Sequence, residues 1–286
     1  MRELKGKTAV VTGAGSGIGR ELAFACAREG MSLALADIDE KGMRETSLEA
    51  AKLGARTESL RCDVSKAADV ERLAAHAWER FGAVHLVFNN AGVAVGGPAW
   101  TATLEDWQWT LGINLMGVVH GVRSFIPRML AQGGECHMVN TASVAGLVDI
   151  AGSAVYCVSK HGVVALSECL FQDLRVAKSA IGVSVLCPAY VNTGIGDSDR
   201  NRPAELAATN PLGAPYREAV REALRHGRLS AADVAREALE AVKANRFYIL
   251  THGKIKGAIE ARMHDILEER QPTDVSRPVP AAGIAR

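Results

Sequence analysis

The sequence has almost no net charge to offer a charged partner: 33 basic residues stand against 32 acidic ones, a formal +1, and the two signs are mixed along the chain. That balance argues against nucleic acid or an anionic membrane surface as a partner. Cysteine is sparse and scattered. Cys26, Cys62, Cys136, Cys157, Cys169 and Cys187 form no C-x2-C pair and no group with histidine, which excludes a zinc-type cluster and reads as buried thiols in a reducing cytoplasm. None of the eight histidines has a spacing partner, so no metal is expected. The start, MRELKGKTAVVTG, passes straight into a strand pattern without a leader's apolar segment. No run approaches the roughly 20 apolar residues that a membrane span needs, so none is expected. Internal repeats and low-complexity blocks are also missing, and nothing before Pro272 resembles an interdomain linker.

What the chain does have is 48% hydrophobic residues over 286 positions, ample for a large core. They fall in short β-branched runs that begin at Thr8 (TAVVTG), Ser32 (SLALAD), Thr57 (TESLRCD), Val84 (VHLVFNNAG), His137 (HMVNTAS), Gly182 (GVSVLCP) and Phe247 (FYIL). Runs that are apolar at consecutive positions suit strands buried on both faces, and the segments between them are long enough for crossover helices. The expected fold is therefore α/β: a doubly wound parallel sheet in a single Rossmann-type domain over residues 1–271. Residues 194–228, with Pro203, Pro211 and Pro215, read as an excursion beside the substrate, and 272–286 as a mobile tail.

Two places carry chemistry. After the first strand, TGAGSGIG sets Gly13, Ser16, Gly17, Ile18 and Gly19 at the entry to a helix, where free N–H groups and the positive dipole end suit a pyrophosphate. Glycine-rich turns without a ligand are also common. Asp37 ends the second strand, 24 residues after Gly13, where a carboxylate can accept from adenosine ribose hydroxyls and repel a 2′-phosphate. Ser16, Ile38 and Asp39 stand where a cation for that phosphate would otherwise be sought, so NAD is expected over NADP. Asp37 as a mere helix cap is the rival reading.

The second place is Tyr156-x3-Lys160, one turn apart on a helix, with Ser143 at the end of the preceding strand. A phenol is a poor base at neutral pH unless a nearby cation lowers its pKa, and Lys160 is expected to do so. Ser143 can hydrogen-bond an oxygen on which negative charge develops. With no histidine base and no G-x-S-x-G elbow, it orients rather than attacks. An isolated Tyr-x3-Lys occurs on many solvated helices; the combination points to hydride transfer.

TGAGSGIG, CDVS at Cys62 to Ser65, NNAG at Asn89 to Gly92, Asn114 in INLMG, Ser143, YCVSK, and PAYVNTG at Pro188 to Gly194 together resemble the classical short-chain dehydrogenase/reductase family. The similarity runs in order from about Lys5 to Asn192 and, more loosely, to His252. The resemblance implies that Asp63 and Val64 flank the adenine, that Asn90 lies along the cofactor, and that Val191 and Thr193 meet the nicotinamide carboxamide. It implies that Lys160 also holds the nicotinamide ribose, and that Asn114 holds a water relaying protons from Lys160. One departure is Pro188-Ala189 where the family usually has Pro-Gly, which could shift the backbone beneath the nicotinamide.

The expected function is NAD-dependent interconversion of a secondary alcohol and a ketone, with Tyr156 as acid/base and Ser143, Lys160 and Asn114 in support. An NADPH-dependent carbonyl reductase and a non-catalytic NAD-binding scaffold are the alternatives. The substrate is expected to be largely apolar, against Val144 to Ile150 and Tyr190, while Asp197, Asp199, Arg200 and Arg202 are expected to face water, with contact to a polar group as the alternative. Trp100, Trp107 and Trp109 read as packing or subunit contact rather than a substrate mouth. A homodimer or homotetramer is expected through the helices carrying Asn114 and Tyr156, with Gly117, Gly121 and Gly162 allowing close approach.

Overall fold

Strands β1 (Thr8–Thr12), β2 (Ser32–Asp37), β3 (Thr57–Arg61), β4 (Leu86–Asn89), β5 (His137–Thr141), β6 (Gly182–Leu186) and β7 (Tyr248–Ile249) form one parallel sheet in the order β3-β2-β1-β4-β5-β6-β7. The structure is a computed structural model and describes residues 1–207 and 210–274. Every residue of β1, β4 and β5 is buried, the consequence of helices on both faces. The edge strand β3, TESLR, has one neighbour and no fully buried residue, which is why it tolerates Glu58 and Arg61. Side chains alternate through the sheet. Ala9, Val11, Leu33, Leu35 and Phe88 point to one apolar cluster, while Val10, Ala34, Val87 and Met138 point to the other.

Helices α1 (Gly17–Arg28) and α8 (Ala231–Lys243) cover the first face; α3 (Ala67–Phe81), α5 (Gly117–Gln132) and α6 (Ala154–Val176) cover the second. Helix α2 (Glu40–Lys52) flanks β2, its first turn capped by Asp39, which accepts from Gly42 N–H at 3.0 Å. Helix α4 (Leu104–Leu111) starts with a reciprocal capping box of Thr103 and Asp106, and α8 with one of Ser230 and Asp233. Between α4 and α5 the helix does not break: Gly112–Met116 continues it as a π turn. Such turns are rare and recur at functional sites.

Residues 194–206 form short 3-10 turns, and α7 (Ala214–Arg225) follows with Leu224 as its one buried residue. Helix α9 (Ile255–Leu267) buries none. Of the expected tail, residues 275–286 lie outside the described residues.

Two expectations need correction. Helix α6 is long and apolar enough to cross a membrane by length and composition, contrary to the sequence reading. Here it is a core helix: Val163, Val164, Leu170 and Leu174 belong to the buried clusters beneath it, and the charged Lys160 is itself buried. The glycines assigned to a subunit contact face their own chain instead. A Cβ on Gly117 would meet Val64, one on Gly121 would collide with Asn89, and one on Gly162 would touch Leu115. They let α5 lie close to the loop after β3 and to the end of the central strand β4, and α6 close to the π turn.

Candidate active site

In a doubly wound sheet, ligands lie beyond the carboxyl ends of the strands where the chain order reverses, here between β1 and β4. One cavity opens at that place. Gly13, Ser16, Gly17, Ile18, Gly19, Asp37, Asp63, Val64, Asn90, Ser143, Tyr156, Lys160, Val191 and Thr193 all line it. Asn114, fully buried, stands behind its wall.

At the β1 end, Gly13 holds φ +68°, and a Cβ there would come within 2.9 Å of the Ala91 backbone. A Cβ on Gly19 would collide with the Gly13 carbonyl oxygen. Both positions exclude a side chain so that the loop can fold onto the start of α1. Ser16, the N-cap of α1, makes no side-chain capping bond, so no side-chain oxygen of the cap takes up the first-turn N–H groups, and Ser16 to Gly19 line the cavity. Asp37 Oδ2 accepts from Gly15 N–H at 2.7 Å and its Oδ1 from Asp39 N–H at 2.9 Å. The carboxylate therefore ties the glycine loop to the end of β2 as well as facing the cavity. Burial raises its pKa against these two hydrogen bonds.

Thr12 and Asn90 bind the two halves of the site together. Thr12 Oγ1 accepts from the N–H groups of Asn90 (2.9 Å) and Ala91 (3.1 Å), and Asn90 Nδ2 donates to Thr12 O at 3.1 Å. Thr141 Oγ1 donates to Asn90 Oδ1 at 3.3 Å. The Asn90 side chain is thus spent on holding three strand ends in register.

Ser143, Tyr156 and Lys160 meet on the other side of the switch point. The Ser143 hydroxyl donates to Pro188 O at 3.3 Å, accepts from Ala145 N–H at 3.2 Å, and lies near enough to the Tyr156 phenol to favour its ionised form. Lys160 Nζ donates to Thr141 O at 3.0 Å and lies 5.7 Å from the centre of the Tyr156 ring. The expectation that Lys160 lowers the phenol's pKa is not met in the protein alone. Burial pushes Tyr156 up to about 12, opposed by the Ser143 hydrogen bond, and burial pushes Lys160 itself down to about 8. The ammonium is aimed at a carbonyl rather than at the phenol, and desolvation of both groups wins. At neutral pH this phenol is protonated.

Asn114 is set in the π turn. Its Oδ1 accepts from Val93 N–H at 2.9 Å, and its Nδ2 donates to Val93 O at 3.0 Å and Ser159 Oγ at 3.0 Å. The amide staples the loop after β4 to α6. A Cβ on Gly92 would lie 3.4 Å from Asn114 Oδ1 and 3.6 Å from Lys160 Nζ, so this glycine keeps side-chain atoms out of the gap between them. Ala189, where the family usually has glycine, is absent from the three positive-φ non-glycine residues among those described, so it needs no glycine freedom. Its N–H is held by His252 Nδ1 at 3.2 Å.

Beyond Tyr156 the cavity is walled by Val93, Val95, Val144, Ala145, Ile150, Tyr190, Ile195, Val220 and Leu224. Sequence reasoning named Val144 to Ile150 and Tyr190 and set the 194–228 segment beside the substrate, but singled out neither Val220 and Leu224 of α7 nor the loop after β4. The amphipathic spacing of Val220 and Leu224 was the available signal. None of the three tryptophans lines the cavity; Trp100 is exposed and Trp109 is buried. Arg202 does not face water as expected. Its guanidinium lies 4.9 Å from the centre of the Trp109 ring and donates to Asp106 Oδ1 at 2.7 Å, both side chains less than a tenth exposed. With Ser198 accepting from Ala94 N–H at 3.1 Å, it pins the 194–206 segment over the cavity. Among the described residues no group of histidine, cysteine and carboxylate side chains could hold a metal.

Comparison with known proteins agrees with this geometry. The family model for short chain dehydrogenases matches residues 7–204. The chain is 34% identical over 282 residues to a CLA biosynthesis dehydrogenase/reductase of Lactiplantibacillus plantarum, covering 95% of this chain and 97% of the relative. It is 35% identical over 265 residues to the 1-deoxy-11-beta-hydroxypentalenate dehydrogenase of Streptomyces exfoliatus, covering 92% and 89%. A crystal structure of a short-chain dehydrogenase/reductase from Burkholderia phymatum in complex with NAD superposes with a TM-score of 0.94 at 47% identity, covering 98% of this chain and all of that one. A glycine loop, a carboxylate closing β2, and a serine, tyrosine and lysine gathered across the switch point thus coincide with a match over most of the sequence: the chain belongs to the short-chain dehydrogenase/reductase family.

Proposed function

We propose that the protein is an NAD-dependent oxidoreductase that interconverts a secondary alcohol and a ketone on a largely apolar small molecule. The observation that carries this reading is the meeting of Ser143, Tyr156 and Lys160 in the same cavity as the glycine loop. The fit of NAD rests on the side-chain-free cradle at Gly13 and Gly19, the uncapped start of α1, and Asp37 beside it. The NAD complex of the Burkholderia phymatum relative and the dehydrogenase names of the curated relatives favour the same cofactor and reaction class.

NAD, when bound, supplies the hydride acceptor for alcohol oxidation and, reduced, the donor for the reverse reaction. The chain's residues manage the oxygen and its proton. Ser143 holds the substrate oxygen by hydrogen bonding, and Tyr156 gives a proton to that oxygen on reduction or takes it on oxidation. The phenol's raised pKa suits the donor role at neutral pH; taking a proton requires more positive charge than Lys160 alone provides. Asp37 favours NAD over NADP. Asn114, held by Val93 and Ser159, orients the wall behind Lys160. The apolar wall residues would bury hydrocarbon at about 25 cal/mol per Å² removed from water.

The test is Tyr156→Phe against a panel of secondary alcohols with NAD. Removal of a general acid/base costs about 10²–10⁴-fold in turnover, while NAD affinity should stay within a few-fold. A variant as fast as wild type would remove Tyr156 from the proton path. Tight NAD binding by a wild type that processes no alcohol or ketone would favour a non-catalytic scaffold. The same reading includes a homodimer or homotetramer through α5 and α6, supported now by exposed Met116, Leu130 and Val158 rather than by the glycines. A monomer at micromolar concentration in the ultracentrifuge would refute it. Six free cysteines, five of them buried, suit a reducing cytoplasm.

A further inference from the structure

We infer that Arg200, on the segment that roofs the cavity, is the cation that meets the cofactor's pyrophosphate from the side opposite the glycine loop. The inference rests on the NAD-binding reading above and adds a residue that no motif assigns. Three observations carry it.

Arg200 lines the same cavity as the glycine loop. Its guanidinium is held there by Nη1, which donates to Gly194 O at 2.6 Å and Asp197 O at 2.9 Å, so the head is fixed by carbonyls rather than by a carboxylate. The neighbouring arginines differ: Arg202 is paired with Asp106, and Arg221 with Asp197 and Glu218. Arg200 is exposed, and among the described residues it forms no ion pair, so no carboxylate competes for its charge.

Its place is next to the phosphate loop. A Cβ on Gly194 would lie 3.2 Å and 3.3 Å from the two terminal nitrogens of Arg200, and a Cβ on Gly17 would lie 3.2 Å from the Thr193 side chain. Arg200, Gly194, Thr193 and Gly17 therefore form a chain of near contacts ending at the first residue of α1. Glycine at 194 leaves room for the guanidinium beside the backbone.

The charge balance of the cavity favours such a group. Its other charged residues are Asp37, Asp39, Asp63 and Lys160, and the Lys160 ammonium is committed to Thr141 O on the far side. A pyrophosphate brings two negative charges, against which the start of α1 supplies an equivalent of about half a positive one. Three carboxylates in the same cavity make the deficit larger. Arg200 is the remaining cation on its wall, and a guanidinium can engage two phosphate oxygens at once.

The test is calorimetric titration of Arg200→Met and Arg200→Lys with NAD, ADP-ribose and AMP, with thermal melts as a check on folding. Loss of a hydrogen-bonded charge partner should raise the dissociation constants of Arg200→Met for NAD and ADP-ribose about ten- to a hundredfold. The constant for AMP, which has one phosphate, should change less. Arg200→Lys should recover part of the loss, and added salt should narrow the gap between wild type and Arg200→Met. Equal affinities of wild type and Arg200→Met for ADP-ribose would overturn the inference, as would a change confined to the KM of an alcohol. A wild type that binds neither NAD nor ADP-ribose would instead overturn the cofactor reading.

Discussion

Replacing Asp37 should change both which cofactor the protein accepts and how tightly it holds the one it prefers. Two like charges 4 Å apart repel by about 1 kcal/mol in water and about 4 kcal/mol at an effective dielectric of 20. A phosphate monoester carries about −1.5 to −2 charges. In an open groove the lower figure applies, so a 2′-phosphate beside Asp37 costs about 2 kcal/mol in repulsion. It also forfeits a ribose hydroxyl bond to a carboxylate worth about 1.5–3 kcal/mol. The sum predicts at least a hundredfold preference for NAD, roughly. Asp37→Ala removes the repulsion, but it also orphans the Gly15 and Asp39 N–H groups that the two carboxylate oxygens accept from. NAD affinity should therefore fall by about tenfold or more, and the gap should close chiefly from the NAD side. Adding Ile38→Arg to Asp37→Ala supplies a cation for the phosphate and should raise NADP affinity itself. Calorimetric dissociation constants for both cofactors across the three proteins test the reasoning. Wild type binding NADP as tightly as NAD, or an Asp37→Ala protein with unchanged NAD affinity, would refute it.

Gly92→Ala should fold normally, since its Cβ meets only ordinary contacts, yet slow turnover roughly tenfold at unchanged NAD affinity by filling the gap between Asn114 and Lys160; wild-type turnover would show the gap to be idle. The Tyr156 phenolate, read as the ultraviolet difference between wild type and Tyr156→Phe, should titrate near 12 in the protein alone. It should titrate lower with NAD bound, because the positive ring favours the anion; a midpoint near 7 without cofactor would contradict burial as the dominant effect. Buried His137, with Nε2 at 2.8 Å from Ser184 Oγ, is held neutral down to about pH 3. Below its unfolded pKa of 6.5 the unfolded chain gains a proton that the fold refuses, so this contribution is complete above that pH and drains towards pH 3. The loss is about 2 kcal/mol between pH 7 and pH 5, and His137→Gln should abolish that part of the slope in urea unfolding.

The central strands were legible because burial on both faces leaves runs of consecutive apolar residues that no solvated element would carry; the edge strand β3, TESLR, has no such run and was placed by the alternation around it. Their order was not, since parallel partners are chosen by crossovers rather than by any local pattern. The Val84 run was read too long: Asn90 to Gly92 belong to a loop whose N–H groups turn back to Thr12. The motif residues could be found because their chemistry is written over a few positions. Arg202 could not, because Asp106, the partner that buries it, lies 96 residues away. The Tyr156 pKa was misjudged for a related reason: four residues along a helix bring Lys160 near the ring, but Thr141 decides where its ammonium points.

The π turn at Gly112–Met116 carries a cost of its own. Geometrically it is an α-helix that has taken in one surplus residue, and everything beyond it is rotated by about 100° from where a regular helix would put it. Deleting that residue would hand the backbone its ordinary ladder and give the molecule an easy gain in helix content. It would also swing Asn114 off Val93 and Ser159, or else drive the buried stripe of α5 out of the core. The stretch from Leu104 to Gln132 is therefore two helices out of phase, and the misfit is the device that lets one continuous rod serve the core and the reaction centre together.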